Sequence, residues 1–277
     1  MTISISILCQ YEEMFLLMRK NNGSQSAARK VIYTLRQFGL DPLIFFNSIK
    51  NVPWYLVALV RFSLKNQHVR IVALPTLADR GAESGAADGH YFWQDLICAR
   101  WIHEQKKANH FDVGSRIDGF IAHLLTFMEV TILDVRRLNS AIPGLTVLIG
   151  NAQENLSSIV GTFESVSSLH SIEHFGLGRY GDELDHLGHE KGLLNIAECV
   201  KPEGLLYLSF PIGVEVVEFN SQRVIHPMWA VEKLSEFTLE EFVLIPWRGK
   251  PVFGISPVEV DRFTWGQAGL YKFRRNS

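Results

Sequence analysis

Asp112-Val113-Gly114-Ser115-Arg116-Ile117-Asp118-Gly119 stands where a short apolar run, Phe111–Val113, hands over to the next segment. A glycine at such a place lets the backbone come close to a ligand at a helix N-terminus, where free N–H groups point outward. Twenty residues beyond Gly114, Asp134 closes the run Val130–Leu133. That spacing suits an acidic side chain accepting hydrogen bonds from ribose hydroxyls. Gly150-Asn151-Ala152 follows a third run, Thr146–Ile149, and places Asn151 to face an adenine ring. Gly114, Asp134 and Asn151, in order on three successive strand ends, read as a nucleoside-cofactor site.

Outward from this turn the pattern remains one of short strands alternating with helical segments. Ser165–Leu169 reads as a fourth strand, Lys191–Cys199 as a helix, Lys201–Gly204 as a turn and Leu205–Phe210 as a fifth strand. Alternation of this kind means parallel strands joined by crossover helices. The C-terminal part differs: Met228–Phe237 reads as a helix, Phe242–Pro246 as extended and Gly269–Phe273 as a last strand. Two late strands without a second full crossover predict an antiparallel edge. The fold expected is α/β, a Rossmann-like class I methyltransferase sheet with a helical N-terminal extension.

The type of cofactor follows from what the glycine turn lacks. A dinucleotide site wants G-x-G-x-x-G, whose second glycine admits the pyrophosphate. Here that position is Arg116, whose Cβ and long side chain obstruct it. S-adenosylmethionine has no pyrophosphate and tolerates the loss. No G-x-x-x-x-G-K-[ST] is present, which excludes a P-loop.

A chain of 277 residues holds one catalytic-sized domain of roughly 160–200 residues plus an extension. We expect a helical N-terminal extension over 1–75, a flexible linker over 76–90 and the α/β domain over 91–277. In the extension, Ala27, Val31, Leu35 and Phe38 share one helical face, and Gly39 and Pro42 end that helix. Val69–Leu74 reads as a possible strand and Tyr91–Lys106 as a helix. The apolar run Pro53–Val60 is too short to span a bilayer, which needs ~20 residues. With Arg61 and Lys65 it suits a membrane surface, but a buried helix is the preferred expectation. Hydrophobic residues make up 47% and the formal charge is −2, which argues for a normal core and against nucleic acid as partner. Cys9, Cys98 and Cys199 are odd in number and far apart, as reduced structural thiols of a cytoplasmic protein would be. No signal-peptide pattern is present at the N-terminus.

Gly89–Asp95, Asp112–Phe120 and Ser168–Asp182 carry motifs that resemble the DUF268 family, and Phe219–Val224 resembles its later block. The resemblance spans about 85–235. DUF268 itself resembles class I methyltransferases, and its bacterial members are associated with surface-polysaccharide assembly. The resemblance therefore implies a transferase that O-methylates a sugar in O-antigen or capsule synthesis. Its acceptor would be a small molecule or glycan, and its place the cytoplasm, at the inner face of the membrane. Of the methyltransferase pattern acidic-x-Gly-x-Gly-x-Gly, Asp112 and Gly114 match, while Arg116 and Asp118 replace the later glycines.

In class I methyltransferases the end of strand four borders both cofactor and acceptor. Here it bears His170, Glu173 and His174, a set able to take the proton from an acceptor hydroxyl during in-line transfer. His174 is the first choice as base, with His170 and Glu173 behind it. Cofactor contacts are expected from Asp112, Gly114, Ser115, Arg116, Asp134, Asn151 and Leu169, with His90 and Tyr91 as a lid. Acceptor contacts are expected from Arg179, Tyr180, Asp182, Asn220 and Arg223, the last suited to a phosphate or carboxylate. His170–His174 also matches H-x-x-E-H, a zinc-peptidase pattern, with Asp185, His186 or His189 as third ligand. Its place directly after a parallel strand argues against that use, and no metal is expected. Two other readings remain: a transferase using a nucleotide-sugar or phosphate-bearing donor through Arg116 and Arg223, and a non-catalytic degenerate member.

Overall fold

A computed structural model of the chain describes residues 31–32, 34–65, 69–82, 89–264 and 266–277. Cys9 and Ala27, with the start of the helix expected to end at Gly39, lie outside these residues. The chain divides into two compact units, Met1–Ala86 and Ala87–Ser277.

The second unit is built on an eight-stranded sheet. Its strands are β1 Asn109–Val113, β2 Glu129–Asp134, β3 Leu145–Ile149, β4 Phe163–Leu169, β5 Val200–Ile212, β8 Phe237–Pro246, β9 Val252–Phe253 and β10 Gln267–Arg275. Their spatial order is β3-β2-β1-β4-β5-β10-β8-β9. Strands β1 to β5 are parallel, and β10 runs antiparallel to both β5 and β8. A parallel half closed by an antiparallel strand inserted beside β5 is the class I methyltransferase arrangement, a Rossmann-like sheet with an antiparallel edge.

Alternation along the strands divides the core between the two faces of the sheet. Phe111, Val113, Leu206, Leu208 and Phe210 pack with Leu193, Ile196 and Ala197 of one helix, Gly188–Glu198. On the other face Val130, Ile132, Leu205 and Tyr207 pack with Ile97, Cys98, Trp101 and Ile102 of the helix Gly89–Gln105. We call Gly89–Gln105 helix α2 and Gly188–Glu198 helix α3. Cys98 and Cys199 are buried free thiols.

Chain order reverses direction between β1 and β4, so the carboxyl ends of these two strands open a crevice. Register brings the ends level: Val113 lies beside Leu133, and Asp134 beside Ile149.

Several expectations need correction. The helix to which β1 hands over is a π-helical turn, Ile117–Ile121, followed by Ala122–Leu124. The helix expected over Met228–Phe237 is only Trp229–Lys233, because β8 begins at Phe237. The turn Lys201–Gly204 lies inside β5, where the pairing with β4 shifts register and Glu203 takes φ 60°. A hairpin of β6 Val216–Glu218 and β7 Gln222–Val224 had no clear signal in the sequence.

In the first unit, a helix α1 runs over Pro42–Lys65. Asp41 caps it by accepting from the backbone N–H of Leu43 and Ile44, and Pro42 opens it. The expectation of a buried helix fails: of the residues in α1, Asn51 alone is buried. The run Pro53–Val60 is also the centre of a 24-residue helix, long and apolar enough by length and composition to cross a membrane. Val69–Leu74 is not a strand, and its valines and leucine are exposed, where β-branched residues lack the half-buried pleated surface that favours strands.

Candidate active site

Gly114 leaves β1 at φ 73°, and its N–H donates to the Leu133 carbonyl. A Cβ here would meet Ser171 Oγ, the end of a side chain that can turn away, so it is the positive φ that makes the turn need glycine. Asp112 is fully buried beneath the turn. It accepts from Ser115 N–H at 2.9 Å and Ser115 Oγ at 2.6 Å, and from Ser167 Oγ on β4. Ser115 Oγ in turn accepts from the Leu169 N–H at 2.9 Å, tying the glycine turn to the end of β4.

This network reaches deeper, to residues that sequence reasoning missed. Ser167 gives its proton to Asp112, so it must accept from His110 Nε2–H at 2.7 Å. His110 Nδ1 then accepts from Ser165 Oγ, also at 2.7 Å. Burial holds His110 neutral, with its pKa lowered to about 3. Burial raises Asp112 to about 6 against the opposing hydrogen bonds of the serines. The available signal was Ser165-x-Ser167: two hydroxyls at strand period inside an apolar strand, opposite a histidine.

Blocks far apart in sequence meet above the turn. The Tyr91 ring lies 4.8 Å from that of His170, and the Arg116 guanidinium 4.9 Å from Tyr91. His90 stacks on His170 at 5.6 Å and donates through Nε2 to the Gly266 carbonyl. Burial, then His170, lower the His90 pKa to about 3. Arg116 itself grips Asp118 with Nε and Nη2, at 3.1 and 2.9 Å.

Glu173 sits fully buried between two histidines. His170 Nδ1 lies 2.8 Å from its Oε1 and His174 Nε2 3.8 Å from the same oxygen, while Oε2 has no hydrogen-bond partner among the described residues. His174 Nδ1 lies 2.7 Å from the Ser221 carbonyl, which can only accept, so the proton is on Nδ1 and the Nε2 lone pair is free to act as base. Burial lowers the His174 pKa and Glu173 opposes that. Burial pushes Glu173 up, but its histidines outweigh that and hold it below its usual value. His170 ends a strand at φ 49° and His174 closes a 3-10 turn, so H-x-x-E-H is not on one helix here.

Tyr180 forms a wall between this cluster and the end of β2. Its ring meets that of His174 edge-on at 5.7 Å and carries the guanidinium groups of Arg136 at 4.5 Å and Arg179 at 5.2 Å. Asp134 is bound by Arg136, and Asn151 Oδ1 accepts from the Gln153 N–H at 3.0 Å. Asp182 closes its own loop by accepting from the N–H groups of Gly176, Gly178 and Tyr180. Asn220 is exposed.

Arg223 departs most from expectation. It is buried, and its guanidinium donates to the carbonyls of Glu173, Phe175, Asp185 and His186. It clamps the backbone that carries His174, and those donors are already engaged, which disfavours the expected anion-binding role.

Residues 131–237 match DUF268, described as "Caenorhabditis protein of unknown function". The DUF268 match runs from β2 to the start of β8 and includes Asp134, His170, Glu173, His174 and Arg223; the blocks around His90 and Gly114 lie before it. No functionally curated protein matches the chain. Solved structures similar to it include the N-methyltransferase NodS of Bradyrhizobium japonicum with S-adenosyl-L-homocysteine, at 14% identity and TM-score 0.44, covering 69% of this chain and 90% of NodS. Another is the 1,6-didemethyltoxoflavin-N1-methyltransferase of Burkholderia thailandensis, at 14% identity and TM-score 0.48, covering 66% and 79%. A third, a putative methyltransferase of Bacillus halodurans, has 14% identity and TM-score 0.48, covering 66% and 100%.

Proposed function

We propose that the α/β unit, residues 91–277 with the linker 76–90 before it, is an S-adenosylmethionine-dependent O-methyltransferase. The observation that carries this reading is His174: a neutral imidazole with its proton on Nδ1, its Nε2 beside a buried carboxylate, in the 3-10 turn that follows β4.

The residues present fit the cofactor. Gly114 turns the chain at φ 73° with the Ser171 side chain against it, Asp134 ends β2, and Asn151 follows the end of β3, where ribose and adenine would lie. Ser115 and Leu169 shape the turn and Asp112 holds it, while His90, Tyr91 and Arg116 line its rim. Bound S-adenosylmethionine supplies an electrophilic methyl group on a sulfonium. His174 Nε2 would take the proton of an acceptor hydroxyl as that oxygen is methylated, with S-adenosylhomocysteine as the leaving thioether. The Glu173 carboxylate stabilises the imidazolium so formed, and His170 orients Glu173. Tyr180, edge-on to His174, would border the acceptor on the β2 side, with Arg179, Asp182 and Asn220 near it.

A sugar hydroxyl as acceptor, in surface-glycan synthesis at the cytoplasmic face of a membrane, rests on the DUF268 resemblance. A nucleotide-sugar or phosphate-bearing donor would need Arg116 and Arg223 for its anion, and both are already engaged. Calorimetry with S-adenosylhomocysteine, beside a thermal-shift series of nucleotide sugars, tests the reading. Binding of the adenosyl ligand supports it; stabilisation by a nucleotide sugar alone overturns it. With binding in hand, His174→Gln should lower methyl transfer by about 10²–10⁴-fold and leave that affinity unchanged.

A further inference from the structure

We propose that helix α1 lies flat on an anionic lipid surface, its apolar face among the acyl chains and its basic residues at the headgroups. The inference is independent of the chemistry assigned to the α/β unit.

At about 100° per residue the helix divides into three stripes. Ile44, Ser48, Asn51, Tyr55, Ala58 and Leu59 form a stripe that is buried or half-buried. Beside it Phe45, Ile49, Leu56 and Val60 form an apolar stripe that is more than half exposed at each position. Phe46, Val57 and Leu64 widen it, again each half exposed or more. Such an apolar face normally marks an interaction surface. Lys50, Arg61 and Lys65 fall together along one border of it, within a roughly 60° arc. No acidic residue occurs anywhere in Pro42–Lys65. One-sided basic charge beside a broad apolar face is the pattern of an interfacial helix on anionic lipid.

Length alone would also allow spanning, but the covered side argues against it. Asn51 Nδ2 donates to the Leu77 carbonyl at 2.8 Å, Arg80 Nη1 lies 3.4 Å from Asn51 Oδ1, and the Arg80 guanidinium stacks on Trp54 at 4.2 Å. These contacts attach the polar segment around Asp79 and Arg80 to the middle of the helix. A spanning helix would carry that segment, and Lys50, into hydrocarbon, where unsatisfied backbone groups and charges are costly. Lying flat, the helix keeps them in water and buries only the apolar face.

The test is co-sedimentation of the full chain with vesicles of phosphatidylcholine alone and of phosphatidylcholine mixed with phosphatidylglycerol. Three basic residues predict binding to the mixed vesicles on the order of a hundred-fold tighter, falling with added salt. Leu56→Glu with Val60→Glu should abolish pelleting, and Lys50→Gln with Arg61→Gln and Lys65→Gln should remove the preference for anionic lipid. Circular dichroism and the melting temperature check that both variants fold. Absence of pelleting, equal pelleting with both vesicles, or pelleting unaffected by the glutamates overturns the proposal. So does a dimer in solution that Leu56→Glu dissociates, because a second copy then covers the face. Resistance of the bound chain to carbonate extraction overturns it in favour of spanning.

Discussion

Arg136 grips Asp134 at both carboxylate oxygens, Nε 2.9 Å from Oδ1 and Nη2 2.7 Å from Oδ2, and its guanidinium then stacks on Tyr180. In the proposed site Asp134 would meet the ribose hydroxyls, and Arg136 and a nucleoside would then compete for one carboxylate. The pair is partly exposed, and such pairs are weak, about 0–1 kcal/mol. A ligand can therefore open it at modest cost.

Arg136→Ala should accordingly tighten S-adenosylhomocysteine binding by up to about five-fold, the factor equivalent to that energy. Asp134→Ala should weaken it by about ten-fold or more, because two hydroxyls lose a charged acceptor. Calorimetry on both variants reads the two signs. Weaker binding in Arg136→Ala would instead make Arg136 a ligand of the cofactor.

Much of the fold could be read along the chain because it rests on local patterning. Parallel strands buried on both sides announce themselves as apolar runs, and β1 to β5 were placed within a few residues apart from the start of β5. Elements shaped by tertiary contact were not legible. The first crossover breaks into a π-helical turn where Gly119 packs against the Asp95 carboxylate of α2, a contact 24 residues away in sequence. At the candidate site, residue types were legible and partners were not. Arg223 looks from sequence like an anion ligand, but its partners are carbonyls 37 to 50 residues earlier. Likewise His110 gave no local sign that it orders the protons beneath the glycine turn, because its serines lie on β4.

Glu173 and His174 make an acid-limb prediction. Only neutral His174 can act as base, so kcat should fall as pH drops through the His174 pKa, which burial lowers from 6.5. The carboxylate of Glu173 raises that pKa. Glu173→Gln removes the charge, so the acid limb should move to lower pH while the plateau rate also drops, through a weaker base. A pH profile of kcat separates this from a merely structural role, which would lower the plateau and leave the limb in place.

Asp95 predicts an opposite dependence in stability. Burial raises its pKa from 3.8 to about 7, partly countered by Gln94 Nε2, which donates to Oδ1 at 3.1 Å. Between those two values the folded chain holds a proton that the unfolded chain has released, so stability is lost as pH rises through the window. Asp95→Asn removes the titration while keeping an acceptor for Gln94. The melting temperature of the variant, relative to the unsubstituted chain, should therefore rise steadily from about pH 4 to about pH 8. The full change should be on the order of 2–4 kcal/mol, measured as the difference in unfolding free energy between the two proteins at each pH. His90 and His110 titrate the other way, losing stability as pH falls below 6.5, but they are common to both proteins and cancel in that difference. A difference that stays constant across the range would mean that Asp95 is ionised in the fold throughout, held there by Arg116 and His170.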